Sequence, residues 1–262
     1  MLTNVSAVIV IYKHRIAESE AFKTLTLALE RAEIPPNGFE LTIWDNSPDR
    51  QDPPNWPYPI RYEHDPRNGG LVPGYNCAIS NSTQKRSEWL LLLDQDTRIP
   101  EDYFGSFQAA LAWLPERTVA VVPRVMATGK MVCPVGTVNG IVGLHHIDPQ
   151  FQGVRERETS SINSGSFVRI SFLRELGGYP SRYRLDAVDL WFFAEVYARG
   201  RNVSVMPASI EHDLSITNIK GISVERWRSI MQGERLFYID QRNRMQQMLM
   251  ASLASHRALT LM

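Results

Sequence analysis

Several carboxylates stand where apolar runs end. Residues 89–100 read WLLLLDQDTRIP, four leucines running into Asp94 and Asp96. At i and i+2 of an extended chain their side chains share one side, and two carboxylates so placed repel unless a cation or hydrogen-bond donors lie between them. Asp45 closes the run LTIWD, Asp186 and Asp189 sit in DAVDLW, and His212 follows VSVMPASIE. Magnesium and manganese are hard ions that favour oxygen ligands, and manganese also accepts imidazole. The set therefore suits a divalent metal held against a diphosphate. Each residue also has a plainer reading: an Asx turn for Asp45 with Asn46 and Ser47, strand-end turns for Asp94 and Asp96, a helix cap for Asp186 and a structural role for His212.

The elements that must position these side chains alternate along the chain. Ala7 to Tyr12 is a β-branched run, and Phe22, Leu25 and Leu29 follow it at helical spacing. Leu41 to Trp44 and Ile60 to His64 read as strands, separated by the proline-rich DPPNWPYP, which excludes a helix interior or a central strand. RNGGLVPGYNCAISNS is a glycine-containing loop leading into a helix over 74–85, and Leu90 to Leu93 suit a strand covered on both faces. EDYFGSFQAALAWL predicts a helix and TVAVVP another buried strand. This βαβ series predicts an α/β fold with a mostly parallel sheet flanked by helices, whose ligands collect beyond the carboxyl ends of the strands. TGKMVCPVGTVNGIVGL suggests short extended segments, HHIDPQFQGVRERE a polar loop that includes His145 and His146, and Val224 to His256 a helical tail.

Composition narrows the setting. Lys and Arg number 28, as do Asp and Glu, so net charge gives no reason to expect nucleic acid as a partner. Cys77 and Cys133 have no CxxC spacing and form no disulfide framework, which favours a reducing compartment. MLTNVSAVIVIYKHR lacks the features of a secretory signal, and no run reaches about 18 apolar residues. A cytoplasmic protein, free or peripheral at the inner face of a membrane, is the expectation. Neither GxxxxGK nor GxGxxG occurs, so no Walker or dinucleotide fingerprint is present.

The ordered series VIVIY, WDNSPD, NGGLVPGYNCAI, WLLLLDQDT, NSGSFVRI, DAVDLW and EHDLS resembles family 2 of the inverting glycosyltransferases, with DQDT, SGS and DxVD most similar to its rhamnosyltransferase-like branch. The resemblance spans residues 5 to 215, and the tail segment RLFYIDQRN is similar to one found in that branch. It implies a GT-A fold with a nucleotide-sugar half over about 1–125, an acceptor half over about 126–215 and a helical extension from 216 to 262. It implies a nucleoside diphosphate sugar donor (dTDP or UDP, carrying a sugar such as rhamnose), a divalent metal cofactor, and a saccharide or lipid-linked glycan acceptor in surface polysaccharide biosynthesis.

Carried onto this chain, the resemblance places Asp45 at the nucleobase ring N–H and Asp94 near the ribose, with Tyr12, Asn68, Gly70 and Asn76 completing the donor site. Asp96 and His212 would hold the metal. Asp189 would be the general base, with Asp186 orienting it or capping the helix. Ser164, Gly165 and Trp191 would face the acceptor, although Ser164 and Gly165 read equally well as a tight turn and Trp191 as helix core. Two departures stand out: Trp191 replaces a second acid, and Glu195 stands where an arginine is common. They leave open a catalytically silent protein of the same fold that binds a nucleotide sugar or a partner. A nucleotidyltransferase is disfavoured, because no Gly-rich basic loop follows the first strand. In the tail, Leu236, Phe237, Ile239 and methionines beside Arg235, Arg242 and Arg244 suit a peripheral membrane contact, a homodimer surface or packing onto the main domain.

Overall fold

The computed structural model describes residues 5–82, 87–211 and 223–259, with side chains as far as Leu253. Strand β1 (Val5–Ile11) is buried along its whole length. Helix α1 (Glu20–Arg31) starts at Ser19, whose hydroxyl accepts the Phe22 N–H at 3.2 Å, and buries Phe22, Leu25, Ala28 and Leu29. Strands β2 (Phe39–Asp45) and β3 (Ile60–His64) follow, then helix α2 (Leu71–Asn81) and strand β4 (Trp89–Asp94). Helix α3 (Tyr103–Leu111) leads to β5 (Thr118–Ala127), and a run of short strands comes next: β6 (Lys130–Cys133), β7 (Val135–Val138), β8 (Ile141–His146), β9 (Gly153–Arg155), β10 (Thr159–Ser160) and β11 (Phe167–Arg169). Helices α4 (Ile170–Glu175) and α5 (Val188–Ala198), strand β12 (Asn202–Glu211) and helices α6 (Val224–Gln241) and α7 (Arg244–Leu259) complete the order.

The main sheet has the order β3-β2-β1-β4-β11-β5-β12-β9, with β6 paired to β5, and β10, β7 and β8 form a second small sheet. The pairs β3–β2, β2–β1, β1–β4 and β5–β12 are parallel, while β11 enters antiparallel between β4 and β5. This is the mostly parallel, helix-flanked sheet expected of a GT-A fold. The expected helix over 74–85 begins three residues earlier. The polar loop after residue 144 contains β9, which pairs with the sheet edge at Val203–Val205.

Alternation along the leucine run explains why both faces are covered. Leu90 and Leu92 join the core under α2, α4 and α5, while Leu91 and Leu93 join the core under α1 and α3. All four leucines are fully buried, each stabilising the fold by about 1.5–3 kcal/mol relative to an exposed position. Pairing of Val5–Val10 with Trp89–Asp94 in parallel register puts Asp94 beside Val10, at the carboxyl edge of the sheet.

The other flank of β4 is finished by NSGSFVRI. Leu92 N–H donates to the Ser166 carbonyl at 3.1 Å, Gly165 N–H to the Leu92 carbonyl at 2.7 Å, and Asp94 N–H to the Ser164 hydroxyl at 2.9 Å. Gly165 has φ +80°, and a Cβ there would lie 2.7 Å from Ile210 Cδ1 and 3.0 Å from the Tyr103 hydroxyl. Gly165→Ala combines a disfavoured backbone with overpacking and is expected to cost about 2 kcal/mol or more. Urea denaturation of the variant against the parent measures it.

Candidate active site

A cavity of about 640 Å³ opens at the carboxyl edge of the sheet, the size of a small-molecule or cofactor site. One wall is the β-strand edge, with Val10, Tyr12, Asp94, Gln95 and Asp96; a second is Asn46 with Asn68, Gly70 and Leu71. Arg182, Arg184, Leu185 and Asp186 come from the segment before α5, and Ser229, Gln232, Gly233 and Leu236 from α6. The edge is braced from within. Gln95 accepts the Tyr12 N–H at 2.8 Å, Asn46 donates to the Gly70 carbonyl at 2.9 Å and accepts from the Trp44 indole at 3.1 Å, and Leu71 N–H reaches the Arg184 carbonyl at 2.9 Å. An Arg184 guanidinium N–H donates to the Asn68 carbonyl.

Of the residues singled out in the sequence, Tyr12, Asn68, Gly70, Asp94, Asp96 and Asp186 line this cavity. Asp45 does not. It is fully buried, accepts the Ser47 N–H at 2.8 Å as an Asx turn, and takes further bonds from Gln51 at 3.0 Å and the Tyr62 hydroxyl at 2.9 Å. Asn76 is occupied at both ends of its amide by the Tyr179 backbone, at 2.8 Å each. Ser164 is a buried strut between Asp94 and the Thr97 hydroxyl, and Gly165 lies in the core. Trp191, 5% exposed, packs against Tyr179 and Tyr183 rather than presenting a face to a sugar. The acceptor roles expected of these last three are replaced by packing, because β11 inserts into the sheet and α5 is covered. His212 lies outside the described residues.

Asp186 and Asp189 have different surroundings. Both oxygens of Asp186 receive Arg226, at 2.6 and 2.7 Å, and one also receives the Ser229 hydroxyl at 2.5 Å. Asp186 thereby fastens α6 to the cavity rim. Asp189, in the first turn of α5, is not a wall residue; its Oδ1 accepts the Leu190 N–H at 2.8 Å. Burial pushes its carboxyl up to about 6, against the pull of the Leu190 and Asp189 N–H groups and with added repulsion from Asp94 and Asp186. Tyr75, whose hydroxyl is 3.4 Å from Asp94, is held well above its ordinary value by burial and by Asp94, so it is a neutral donor.

Asp94 and Asp96 supply two carboxylates to one cavity, a donor set that fits a magnesium or manganese ion whose other ligands are phosphate oxygens and water. Among the described residues no three His, Cys, Asp or Glu side chains converge as a metal cage.

The contribution of α6 escaped the sequence reading, although a signal was present. Gly233 interrupts an otherwise good helix, and a Cβ there would fall 2.7 Å from Asp186 Cβ, so only glycine lets α6 approach this closely. Arg182 and Arg184, before α5, carried no such signal.

The sheet is of the GT-A type, with carboxylates and arginines around a cavity at its strand ends. Comparison with known families matches residues 6–136, half of the chain, to Glycosyl transferase family 2, and the chain belongs to that family. No curated protein matches it in sequence. In fold it is similar to S. aureus TarS 1–349 in complex with UDP, with TM-score 0.56 and 15% identity over 90% of this chain and 66% of that one. The same fragment in complex with UDP-GlcNAc gives TM-score 0.56 and 15% identity over 90% and 65%. A longer TarS chain gives 0.53 and 15% over 89% and 43%, so this chain spans less than two thirds of the length of these structures.

The raised carboxyl of Asp189 has a consequence for stability. Its neutral form is favoured by folding, so the stability it contributes is full below pH about 3.8 and is lost as pH rises through about 6. Above that, Asp189→Asn is expected to stabilise the fold by up to about 3 kcal/mol, a gain that fades below pH 4. Thermal melts of both proteins at pH 8 and pH 4 check the sign.

Proposed function

We propose that this protein is an inverting glycosyltransferase that moves a sugar from a nucleoside diphosphate donor to a saccharide or lipid-linked glycan in surface polysaccharide biosynthesis. The carrying observation is the pair of carboxylates Asp94 and Asp96 on the wall of a cavity at the carboxyl edge of the sheet; Asp189 feels the charge of Asp94, and burial raises its carboxyl to about 6. A base tuned close to neutral pH is suited to taking a proton from an acceptor hydroxyl.

In this reading the acceptor hydroxyl gives its proton to Asp189 as its oxygen attacks the anomeric carbon. The bond to the nucleoside diphosphate breaks on the opposite face, and that group leaves with the electron pair. Asp94 and Asp96 would hold a divalent metal, with His212 as a further ligand; when bound, it neutralises charge developing on the departing diphosphate. Arg184 adds positive charge to the same cavity, and Arg182 lines it while paired with Asp240 at 2.5 Å. Asp186 cannot share the base role while Arg226 occupies both its oxygens. Recognition of the nucleobase by Asp45 would require Gln51 or Tyr62 to yield a bond.

The substitutions that allow a silent binding protein are accounted for by packing. Trp191 fills the core between Tyr179 and Tyr183, and Glu195 binds Gln241 of α6 at 3.0 Å and Arg199 at 3.2 Å. UDP and dTDP are the donor bases to test first, with UDP-GlcNAc and dTDP-rhamnose among the sugars. Exposed Ile239, Met245, Met248 and Leu249 near Arg235 and Arg244 support a cytoplasmic enzyme in peripheral contact with a membrane that carries the acceptor. Arg242 takes no part in that surface, being tied to the Gly140 carbonyl and Glu158. Among the described residues no helix is long and apolar enough to cross a membrane.

Release of nucleoside diphosphate from UDP-, dTDP- and GDP-sugars with manganese and mixed glycan acceptors is the test. Asp189→Asn is expected to lower kcat by about 10²–10⁴ and Asp96→Ala to abolish metal-dependent turnover. Activity should climb as pH rises through about 6, where Asp189 becomes a carboxylate, and then level off. If no donor turns over while nucleotide binding still needs Asp96, the protein is a binding module.

A further inference from the structure

A second cavity, of about 440 Å³, opens between the segment after β1 and the loop after β2, lined by Arg15, Ile16, Glu18, Arg50, Gln51 and Asp52 among others. Residues 12–16 join it to the first cavity, since Tyr12 lines one and Ile16 the other. Four residues of chain span at most about 14 Å, a length that a nucleoside diphosphate covers.

Gln51 stands between this cavity and the buried Asp45. Its amide nitrogen donates to Asp45 Oδ2 at 3.0 Å and to the His14 carbonyl at 2.9 Å, and its amide oxygen accepts the Ile16 N–H at 3.2 Å. The Gln51 backbone is anchored separately, its N–H on the Tyr62 hydroxyl at 2.9 Å. Asp45 is also held without the Gln51 side chain, by the Ser47 N–H on Oδ1 at 2.8 Å and the Tyr62 hydroxyl on Oδ2 at 2.9 Å. Rotation of the Gln51 side chain into the cavity therefore opens a slot while the loop and the carboxylate stay in place.

The opened slot offers a carboxylate oxygen and a carbonyl oxygen as acceptors and the Ile16 N–H as donor. A primary amide fills it because its N–H and C=O stand side by side in one plane. The edge of uracil or thymine presents the same pair, a ring N–H beside a ring carbonyl. A phosphate or carboxylate would bring negative charge against Asp45. We propose that the Gln51 carboxamide is an internal stand-in for a nucleobase, an autoinhibitory plug. A uridine or thymidine diphosphate displaces it by giving its ring N–H to Asp45 and accepting the Ile16 N–H on its carbonyl. This rests on the donor reading above and adds competition to it: a plugged molecule cannot take the base, so the apparent Kd exceeds the intrinsic one by the inverse of the unplugged fraction.

The test is calorimetric titration of the full chain with UDP and manganese, and with inorganic diphosphate and manganese. Gln51→Ala should lower the Kd for UDP about fivefold, because the competing hydrogen bonds are gone, and leave that for inorganic diphosphate unchanged, because this probe has no base. Weaker UDP binding in Gln51→Ala means that Gln51 holds the base instead of yielding to it, and overturns the plug. Unchanged UDP binding, UDP binding to neither protein, or an equal gain for both probes overturns it too. Should Gln51→Ala fail to fold, the wild-type chain gives a second readout in the nitrogen-15 NMR signals of the Gln51 side-chain amide. These should move when UDP is added and stay with inorganic diphosphate; signals that ignore UDP, or move equally with both probes, overturn the plug. Nucleoside diphosphate release from UDP- and dTDP-sugars separates the two readings. Tighter UDP binding in Gln51→Ala without any turnover keeps the plug and removes the transferase; turnover with an unchanged donor KM in Gln51→Ala does the reverse.

Discussion

Strand β4 runs out of backbone partners on its β11 flank before it reaches Asp94, and a side chain completes the ladder. The Ser164 hydroxyl accepts the Asp94 N–H at 2.9 Å, just past the point where Gly165 N–H meets the Leu92 carbonyl. The hydroxyl thus stands in for a strand carbonyl and lets the chain turn away, so that Asp94 and Asp96 emerge at the cavity with a fixed backbone beneath them. With β11 displaced, the position of both carboxylates, the path of 161–166 and the setting of Asp189 would all change together.

That fixed edge makes an uneven electrostatic field useful. Three acids, Asp94, Asp186 and Asp189, lie near one another, and each is treated differently. Asp94 receives the neutral Tyr75 hydroxyl, Asp186 is matched by Arg226, and Asp189 is left to burial and to the N–H groups at the start of α5. Environments that push similar groups apart are what divide labour among them. Matching Asp186 to Arg226 leaves neither of its oxygens without a cation.

Much of the fold was legible because β-branched and leucine runs, punctuated by proline and glycine, announce buried strands whatever their partners. The strands read near residues 7–12, 41–44, 60–64 and 90–93 all form and lie side by side in the sheet, and DQDT falls at its edge. The importance of NSGSFVRI was legible and its role was not, because nothing local tells a short strand that it will insert antiparallel between two parallel ones. Ser164 and Gly165 were therefore read as facing an acceptor or as a tight turn, and in the fold they hold up a strand. The partners that Asp45 and Asn76 hold, Gln51, Tyr62 and Tyr179, could not be read from the chain because they are set by tertiary contact. Helix α6 shows the same gap, its Gly233 explicable only once Asp186 is seen against it.

The seating of α6 couples two events that look separate. Ser229, Gln232, Gly233 and Leu236 form part of the cavity wall, and the helix is held there by Arg226 on Asp186 and by Asp240 with Arg182 and Tyr183. A molecule that fills the cavity and touches this wall binds the docked helix and not the undocked one. Affinity for a ligand of this cavity and docking of the C-terminal helix are therefore coupled: the factor by which docking strengthens the ligand is the factor by which the ligand favours docking, and a bound ligand steadies a segment far along the chain from the carboxylates.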